Sequence, residues 1–292
     1  MLLKVLRQMP HARIAWPQGD KFVKLSGYVS TRHPLLQGIF GSIDRLNLPC
    51  QVSSDIEVKN AMYNGWLHSH FISSVIVFNS KGLSLFMLTS HKILKAEIGK
   101  IIGCCTNCPG SWHDSCVAEG IYEKLENETP DGYSIVADSA FPAGHNCIAG
   151  KILVPLKAGE RLPLDDGQRT NILKLSRSIL SYHQTAEWGM RELQGSFGCL
   201  WIPLEVADVE KRVDLIETCF RLHNLCTRLV GINQIRNVYV PVWCEGDDSR
   251  VWEGFGDLLY SDQRNCDRVH AFHVQEECHK LKFCSPRLHN FV

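Results

Sequence analysis

The chain has 292 residues, of which 45% are apolar, so it can bury one large core or two modest ones. Lys plus Arg and Asp plus Glu each number 31, and the resulting zero net charge excludes a protein that holds nucleic acid by a strongly basic surface alone. No apolar run reaches about 18 residues, so no membrane span is expected.

Thirteen cysteines are present, but the first residues do not have the pattern of a secretory signal peptide. Stable disulfides belong to oxidising compartments. The sequence therefore favours a reducing compartment and free thiols.

The first elements predicted along the chain are strands. Residues 40–48, in which apolar Phe40, Ile43, Leu46 and Leu48 are interspersed with polar residues, predict a strand. The stretch SSVIVFNSKGLSLFMLT predicts two strands joined by a turn at residues 79–82, because Asn, Ser and Gly there favour a turn. These elements predict a hairpin beside the first strand.

The elements predicted next alternate between helix and strand. Val117, Ile121 and Leu125 have helical spacing, and Ser111 is a candidate N-cap for their helix in a capping box with Asp114. The run YSIVAD predicts another buried strand. After a loop rich in Pro and Gly, two long helices are predicted over residues 170–194 and 206–230.

This order of elements predicts a mixed α/β sheet covered by helices. It also places Asp44 inside one strand, Asp138 at the end of another and Glu187 on a covering helix. Three such acids can meet at one edge of the sheet. They would repel one another unless divalent cations neutralised them, and carboxylate oxygens are the ligands that Mg²⁺ prefers.

Each acid also has a structural interpretation. An Asp at a strand end, such as Asp138, is commonly a turn or cap residue. Glu187 has the spacing for an ion pair with Arg191, one helical turn later. Asp44 is less ordinary, because strand interiors are depleted in Asp. The three positions considered together therefore suggest a metal site.

A set of motifs over residues 41–231 resembles the Harbinger-type DDE superfamily endonuclease domain of eukaryotic transposases. In chain order, the motifs are GSIDRLNLP, YNGWLHSHF, CPGSWHDS, VADSAFP, QTAEWGMRELQGSFG and CFRLHNLCTRLVG. The resemblance implies an RNase H-like fold, two Mg²⁺ or Mn²⁺ ions and a nuclear protein. It also implies cleavage of DNA at transposon ends and strand transfer into target DNA.

The resemblance assigns roles to particular residues. Asp44, Asp138 and Glu187 match the first, second and third catalytic acids of the family, and all three would bind metal. Asp114 matches a further acidic position that is often assigned to the metal. His223 and Asn224 match an HN pair of the family motif, which suggests a chemical role. The other interpretation is a polar patch on a packed helix.

The chain departs from the family pattern at two positions near the acids. Arg45 replaces the usual Gly after the first acid, and alternation along the strand points its side chain away from Asp44. His183 replaces an Arg one helical turn before Glu187. These departures keep a second interpretation open, a transposase-derived scaffold or interaction protein without catalytic activity.

The predicted domains are residues 1–39, an N-terminal remnant or linker, residues 40–232, the endonuclease domain, and residues 233–292, an irregular extension. No helix-turn-helix pattern precedes Asp44, so a DNA-reading domain is either absent or supplied by a separate partner protein. Residues 91–108 exceed the family length and have helix-like apolar spacing, which predicts an inserted helix. A non-native insertion, such as retained intron sequence, is the other interpretation, and both interpretations predict that Thr89 and Pro109 lie close together.

The cysteines allow a different hypothesis, a zinc site. One candidate lies just before the predicted helix and the other lies in the C-terminal extension. The candidate ligands are Cys105, Cys108, His113 and Cys116 for the first, and Cys266, His270, His273 and Cys278 for the second.

Overall fold

The computed structural model describes residues 1–79, 99–141, 148–157 and 159–229. Within these ranges there are seven α-helices and six strands. The helices are α1 (Leu2–Gln8), α2 (Asp20–Arg32), α3 (Ile56–Met62), α4 (Asp114–Val117), α5 (Glu119–Asn127), α6 (Asp166–Ser196) and α7 (Val209–Leu229). The strands are β1 (Ile39–Pro49), β2 (Tyr63–Asn64), β3 (Ser69–Asn79), β4 (Ile101–Pro109), β5 (Ser134–Val136) and β6 (Ile152–Leu153). No helix in the described ranges is long and apolar enough to cross a membrane.

The strands form one mixed sheet with β1 near its centre. β1 pairs antiparallel with β3 on one side and parallel with β5 on the other. β6 continues the parallel side next to β5, and β4 continues the antiparallel side next to β3. The short β2 pairs with the first residues of β3. The predicted mixed α/β architecture is therefore confirmed, and it is consistent with an RNase H-like fold.

Alternate residues of a strand point to opposite faces of the sheet, so both faces carry apolar side chains. Helices cover both faces. On one face, Ile43 and Val75 join a core cluster with Ile121 and Leu125 of α5. On the other face, Phe78 contacts α6 and α7. A Cβ added at Gly189 of α6 would lie 2.6 Å from the Phe78 ring, so glycine allows this helix to lie close to the sheet.

Several elements predicted from local patterns are confirmed. The strand predicted over residues 40–48 is β1, and the run YSIVAD contains β5. Val117, Ile121 and Leu125 are all buried, as their spacing predicted. The two long helices predicted over residues 170–194 and 206–230 are α6 and α7.

The inserted helix predicted over residues 91–108 is wrong for the part that the structure describes. Ile101–Pro109 forms β4, which pairs antiparallel with β3 from Phe78 to Ile72. Backbone hydrogen bonds to β3 explain the difference, because a short apolar run fits a helix or a strand equally well until a partner is present. Thr89 and the second strand of the predicted hairpin lie outside the described residues.

The N-terminal segment contributes to the same core. Trp16 and Phe22 belong to the cluster that includes Ile43, and the ring of Trp16 packs against Phe40 edge to face. Arg7 of α1 donates two hydrogen bonds to the carboxylate of Glu217 on α7, at 3.0 and 2.6 Å. The domain boundaries at residues 39 and 232 stay predictions, and residues 233–292 lie outside the described part of the chain.

Candidate active site

Asp44 lies in the middle of β1, opposite Ile76 of β3. Ser42 precedes it by two residues and therefore points to the same face of the sheet. The Oγ of Ser42 is 3.1 Å from Nδ1 of His183, which belongs to α6. Asp44 consequently faces α6, with 17% of its side chain exposed. One of its oxygens, Oδ1, accepts a hydrogen bond of 2.7 Å from the N–H of Arg45.

Asp138 follows β5, the parallel neighbour of β1. The pairing places Ser42 opposite Val136, and Asp44 and Asp138 each lie two residues further along. If that register continues, the two acids lie side by side on the same face, because neighbouring strands are about 4.8 Å apart. Asp138 also ends the strand as a turn residue, since its Oδ1 accepts a hydrogen bond of 3.0 Å from the N–H of Ala140.

Glu187 is placed by α6, the helix that crosses the Asp44 face. Four residues earlier, His183 has its Nε2 atom 3.9 Å from Oδ2 of Asp44. Residues four apart lie on the same side of a helix. Glu187 is therefore one helical turn from the contact with Asp44, on the side of α6 that faces β1, and it is half-buried.

Asp114 lies on the other face of the sheet. Its carboxylate forms an ion pair with Arg45, whose side chain also donates to Oδ1 of Asn47 at 2.9 Å and to Oγ of Ser73 at 2.6 Å. Arg45 follows Asp44 directly, so it points to the opposite face, as the sequence predicted. The structure therefore does not bring Asp114 to the other three acids. Both partners of the ion pair are mostly buried, with side chains 14% and 16% exposed.

The helix that begins at Asp114 is capped differently from the sequence prediction. His113 is the N-cap, and its Nδ1 accepts a hydrogen bond from the N–H of Ser115. Ser111 is therefore not the cap, and its N–H instead donates to the carbonyl of Ala61 at 3.1 Å. This connection holds the segment after β4 against the end of α3.

No group of three or more His, Cys, Asp or Glu side chains in the described ranges is arranged to hold a metal ion. Asp44 faces α6, and Glu187 lies on the side of α6 that faces β1, but together with Asp138 they do not form such a group in this conformation. Their meeting around a common point therefore stays a prediction for the metal-bound protein.

A comparison with protein families assigns the central part of the chain. Residues 89–224 match the family model described as DDE superfamily endonuclease. This stretch is a DDE superfamily endonuclease domain. It includes Asp114, Asp138 and Glu187, whereas Asp44 precedes it. No curated protein and no solved structure matches the chain.

Endonucleases of this superfamily typically use divalent metal ions, and the acids on the α6 face fit that requirement chemically. Asp44, Asp138 and Glu187 supply only carboxylate oxygens, the donors that hard divalent cations such as Mg²⁺ take in proteins. Asp44 and Asp138 are held by backbone hydrogen bonds at or next to strands in a fixed register. Asp44 is thus positioned by a strand, whereas Asp138 lies in the turn that follows β5.

The HN pair of the endonuclease domain attaches α7 to the edge strand β4. Oδ1 of Asn224 accepts a hydrogen bond from the N–H of Ile101 at 2.7 Å, and its amide donates to the carbonyls of Ile101 at 2.8 Å and Arg13 at 3.1 Å. Nε2 of His223 is 2.9 Å from the carbonyl of Gly99. In this structure the pair therefore holds the beginning of β4 in place, on a strand whose one sheet neighbour among the described residues is β3.

His223 makes the stability of the domain depend on pH. Burial lowers the pKa of His223 to about 4, so the ring is neutral in the folded state at pH values where the unfolded chain takes up a proton. Because the unfolded state then binds more protons, stability is complete above the ordinary histidine pKa of 6.5 and decreases as the pH falls toward 4. We expect this decrease to be about 1.4 kcal/mol per pH unit smaller in His223→Gln than in the wild type.

Urea unfolding at several pH values between those limits measures this difference. The exposed His11, changed to Gln, is the matched control and should retain the wild-type slope. Burial also lowers the pKa of His33 to about 4. His33 therefore adds a similar dependence of stability on pH, which both variants keep. Identical slopes in His223→Gln and the wild type would contradict the prediction.

The first zinc hypothesis receives no support from the described residues. Burial raises the pKa of the Cys105 and Cys108 thiols, whereas zinc binds the deprotonated form. His113 is used as a helix cap. In the described ranges, the four residues do not form a group that could hold a metal ion. The second candidate, at residues 266–278, lies outside the described part of the chain.

Proposed function

We propose that the chain is a transposase-derived, metal-dependent DNA endonuclease that cleaves DNA at transposon ends and transfers the strands to target DNA. The observation that carries the proposal is the parallel register of β1 and β5, which pairs Ser42 with Val136, two residues before Asp44 and Asp138 respectively. The family match supports a nuclease and a DNA substrate. Asp44, Asp138 and Glu187 are the proposed catalytic acids.

The role of the acids follows from their charge and position. Two acids on neighbouring strands repel each other unless a cation lies between them, so the pair favours the binding of Mg²⁺ or Mn²⁺. Asp44, Asp138 and Glu187 would hold two such ions, which would supply activation of a water or a DNA 3′-hydroxyl and stabilisation of the leaving oxygen. The backbone orients both carboxylates, and α6 presents Glu187 from above the same face. Asp114 is not part of this proposal, because Arg45 neutralises it on the opposite face.

The second candidate function is a scaffold that keeps the fold without catalysis. It is favoured by the lack of a three-residue metal-binding group in the described ranges and by His183 at the position where the family motif has Arg. A scaffold would need the fold and the ion pair of Arg45 with Asp114, but not the charge of Asp44 or Asp138. The two candidates therefore differ in how they respond to loss of those charges.

The proposed partners are DNA and a separate protein that recognises its sequence, and the proposed location is the nucleus. The zero net charge supports the need for a partner, because phosphate binding depends on clustered Lys and Arg. Binding of the purified chain to DNA at physiological salt should accordingly be weak when it is alone.

A nicking assay separates the two functions. The substrate is supercoiled DNA that carries the terminal repeats of the chain's own element, incubated with Mg²⁺, with Mn²⁺ or with a chelator. An endonuclease produces nicked circles that depend on the metal and that map to the repeats. No nicks with either metal, in the presence of a protein that melts cooperatively, would reject the endonuclease and favour the scaffold.

A further inference from the structure

Two tryptophans are exposed in adjoining loops at one end of the sheet. Trp66, between β2 and β3, is 83% exposed, and Trp112, between β4 and α4, is 46% exposed. The side-chain amide of Asn64 donates a hydrogen bond of 2.9 Å to the carbonyl of Gly110. Each of these two residues comes two positions before one of the tryptophans, so the hydrogen bond ties the two loops together and brings both tryptophans into one region of the surface.

The backbone at Trp66 is held by hydrogen bonds, although its ring is in solvent. Oδ1 of Asn64 accepts from the N–H groups of Trp66 and Leu67, both at 3.0 Å. His68 completes the turn in the left-handed region, with φ of +51°. A large ring on a backbone held in this way loses little conformational freedom when a flat ligand covers it, and it gains the free energy of burial.

The two loops offer no negative charge to a polyanion. Residues 58–70 and 101–113 contain no Asp or Glu, and Lys59 is exposed on α3 at the start of the first stretch. Of the acids next to these stretches, Glu57 is at the other end of α3, and Asp114 is paired with Arg45. Phosphate groups can therefore approach the exposed tryptophans without repulsion from neighbouring carboxylates.

The tryptophans lie beyond the strand end to which β1 leads from Asp44. Pro49, the last residue of β1, pairs with Phe71, and a Cβ added at Gly110 would lie 2.4 Å from the carbonyl oxygen of Phe71. Five residues of strand separate Asp44 from Pro49, which is roughly 17 Å. Because a DNA strand advances about 3.4 Å per nucleotide, the loops are about five nucleotides from Asp44 along such a strand.

We propose that Trp66 and Trp112 form a stacking surface for unpaired bases of the DNA on which the chain acts. Every base has a flat face that can stack on an aromatic side chain, whereas bases inside a duplex already stack on their neighbours. With zero net charge the chain has little affinity for phosphates alone, so stacking supplies a contact that charge does not. The inference rests on the proposed function for the DNA substrate, and it adds the part of that substrate which the chain contacts: an unpaired segment.

Binding of a fluorescent single-stranded oligonucleotide of about 12 nucleotides tests the proposal without cleavage. Anisotropy is measured on the full chain at about 50 mM salt, with a chelator in place of metal. The wild type should bind this strand about tenfold or more tightly than a duplex of the same length. Trp66→Ala should lose about tenfold of the affinity for the single strand, and Trp66→Phe, which keeps a ring, should lose less.

An oligonucleotide with the same phosphates but without bases is the matched ligand control. The wild type should bind it about tenfold less tightly than the normal strand, whereas Trp66→Ala should bind the two with similar affinity. Tyr28→Ala removes an aromatic side chain of α2 that is 45% exposed, and it should bind like the wild type. Thermal melting verifies that each variant is folded, which the exposure of Trp66 leads us to expect.

The proposal is overturned if the wild type does not bind the single strand, if it binds the strand without bases equally well, or if Trp66→Ala binds like the wild type. It is also overturned if sedimentation shows a dimer of the chain that Trp66→Ala dissociates, because the tryptophans would then join two copies. These outcomes can be distinguished from failure of the proposed function. A chain that stacks on bases but makes no nicks with either metal is a DNA-binding scaffold, and a chain that nicks DNA without the stacking contact remains an endonuclease.

Discussion

Asp138→Asn is expected to reduce metal-dependent nicking about a hundredfold or more, because it removes one of two neighbouring charges that hold the cations. The fold should remain intact. The Oδ1 atom of Asn can still accept the hydrogen bond from the N–H of Ala140 that ends β5. The melting temperature should therefore change by only a few degrees, while the rate of nicking at the terminal repeats falls to the level without metal.

Asp44→Asn should have the same effect for the same reason, and Glu126→Gln is the matched control. Glu126 is an exposed acid of α5, so its neutralisation changes the net charge equally but leaves the α6 face unchanged. Rates are compared for proteins purified identically, with melting curves for each. Nicking by Asp138→Asn at the wild-type rate would contradict the catalytic role of Asp138. It would indicate that the nicks come from a contaminating nuclease.

Asp114→Ala is expected to lower the free energy of unfolding by about 3 kcal/mol, because it leaves the mostly buried guanidinium of Arg45 without its carboxylate partner. Mn²⁺ affinity should not change, since Asp114 lies on the opposite face from Asp44. Urea unfolding measures the first quantity and titration of Mn²⁺ measures the second. Together they decide between a structural and a metal-binding role for Asp114.

A double-mutant cycle gives this prediction its control. Arg45→Met removes the other charge, and the double variant with Asp114→Ala should be more stable than Asp114→Ala alone, because no unpaired charge remains. If Asp114→Ala instead left stability unchanged and abolished Mn²⁺ binding, the separation of the two faces would be contradicted.

Local patterns were sufficient to predict the elements that carry the acids. Asp44 lies within a stretch that predicts a strand from its own residues, and β1 extends over it. Val117, Ile121 and Leu125 have a helical spacing and are buried together, although the structure divides their segment into α4 and α5. In these segments the local period and the tertiary environment favour the same structure, so the sequence could be interpreted without its neighbours.

Segments that depend on a distant partner could not be predicted in this way. Ile101 and Ile102 have a spacing that also fits a helix, and pairing with β3 is what makes Ile101–Pro109 a strand. The two-residue strand β6 has no pattern of its own and exists through its hydrogen bonds to β5. Pairing across many residues contributes most of the stabilisation of such strands, and propensity contributes little.

The identity of the acids and their order along the chain were visible in the sequence, as were the departures at Arg45 and His183. Alternation along one strand was also enough to predict that Arg45 points away from Asp44. Which of the acids share a face was not visible. The parallel register of β1 with β5 determines where Asp138 lies relative to Asp44. The ion pair with Arg45 keeps Asp114 on the opposite face of the sheet.

The contact between Ser42, His183 and Asp44 also required the folded chain, although the two-residue spacing of Ser42 and Asp44 could have indicated a shared face. His183 is 141 positions from Ser42 along the sequence, and the two meet because α6 packs across β1. Local rules act over one strand or one helical turn, whereas the ligands of a metal come from elements that only hydrogen-bonded pairing and burial bring together.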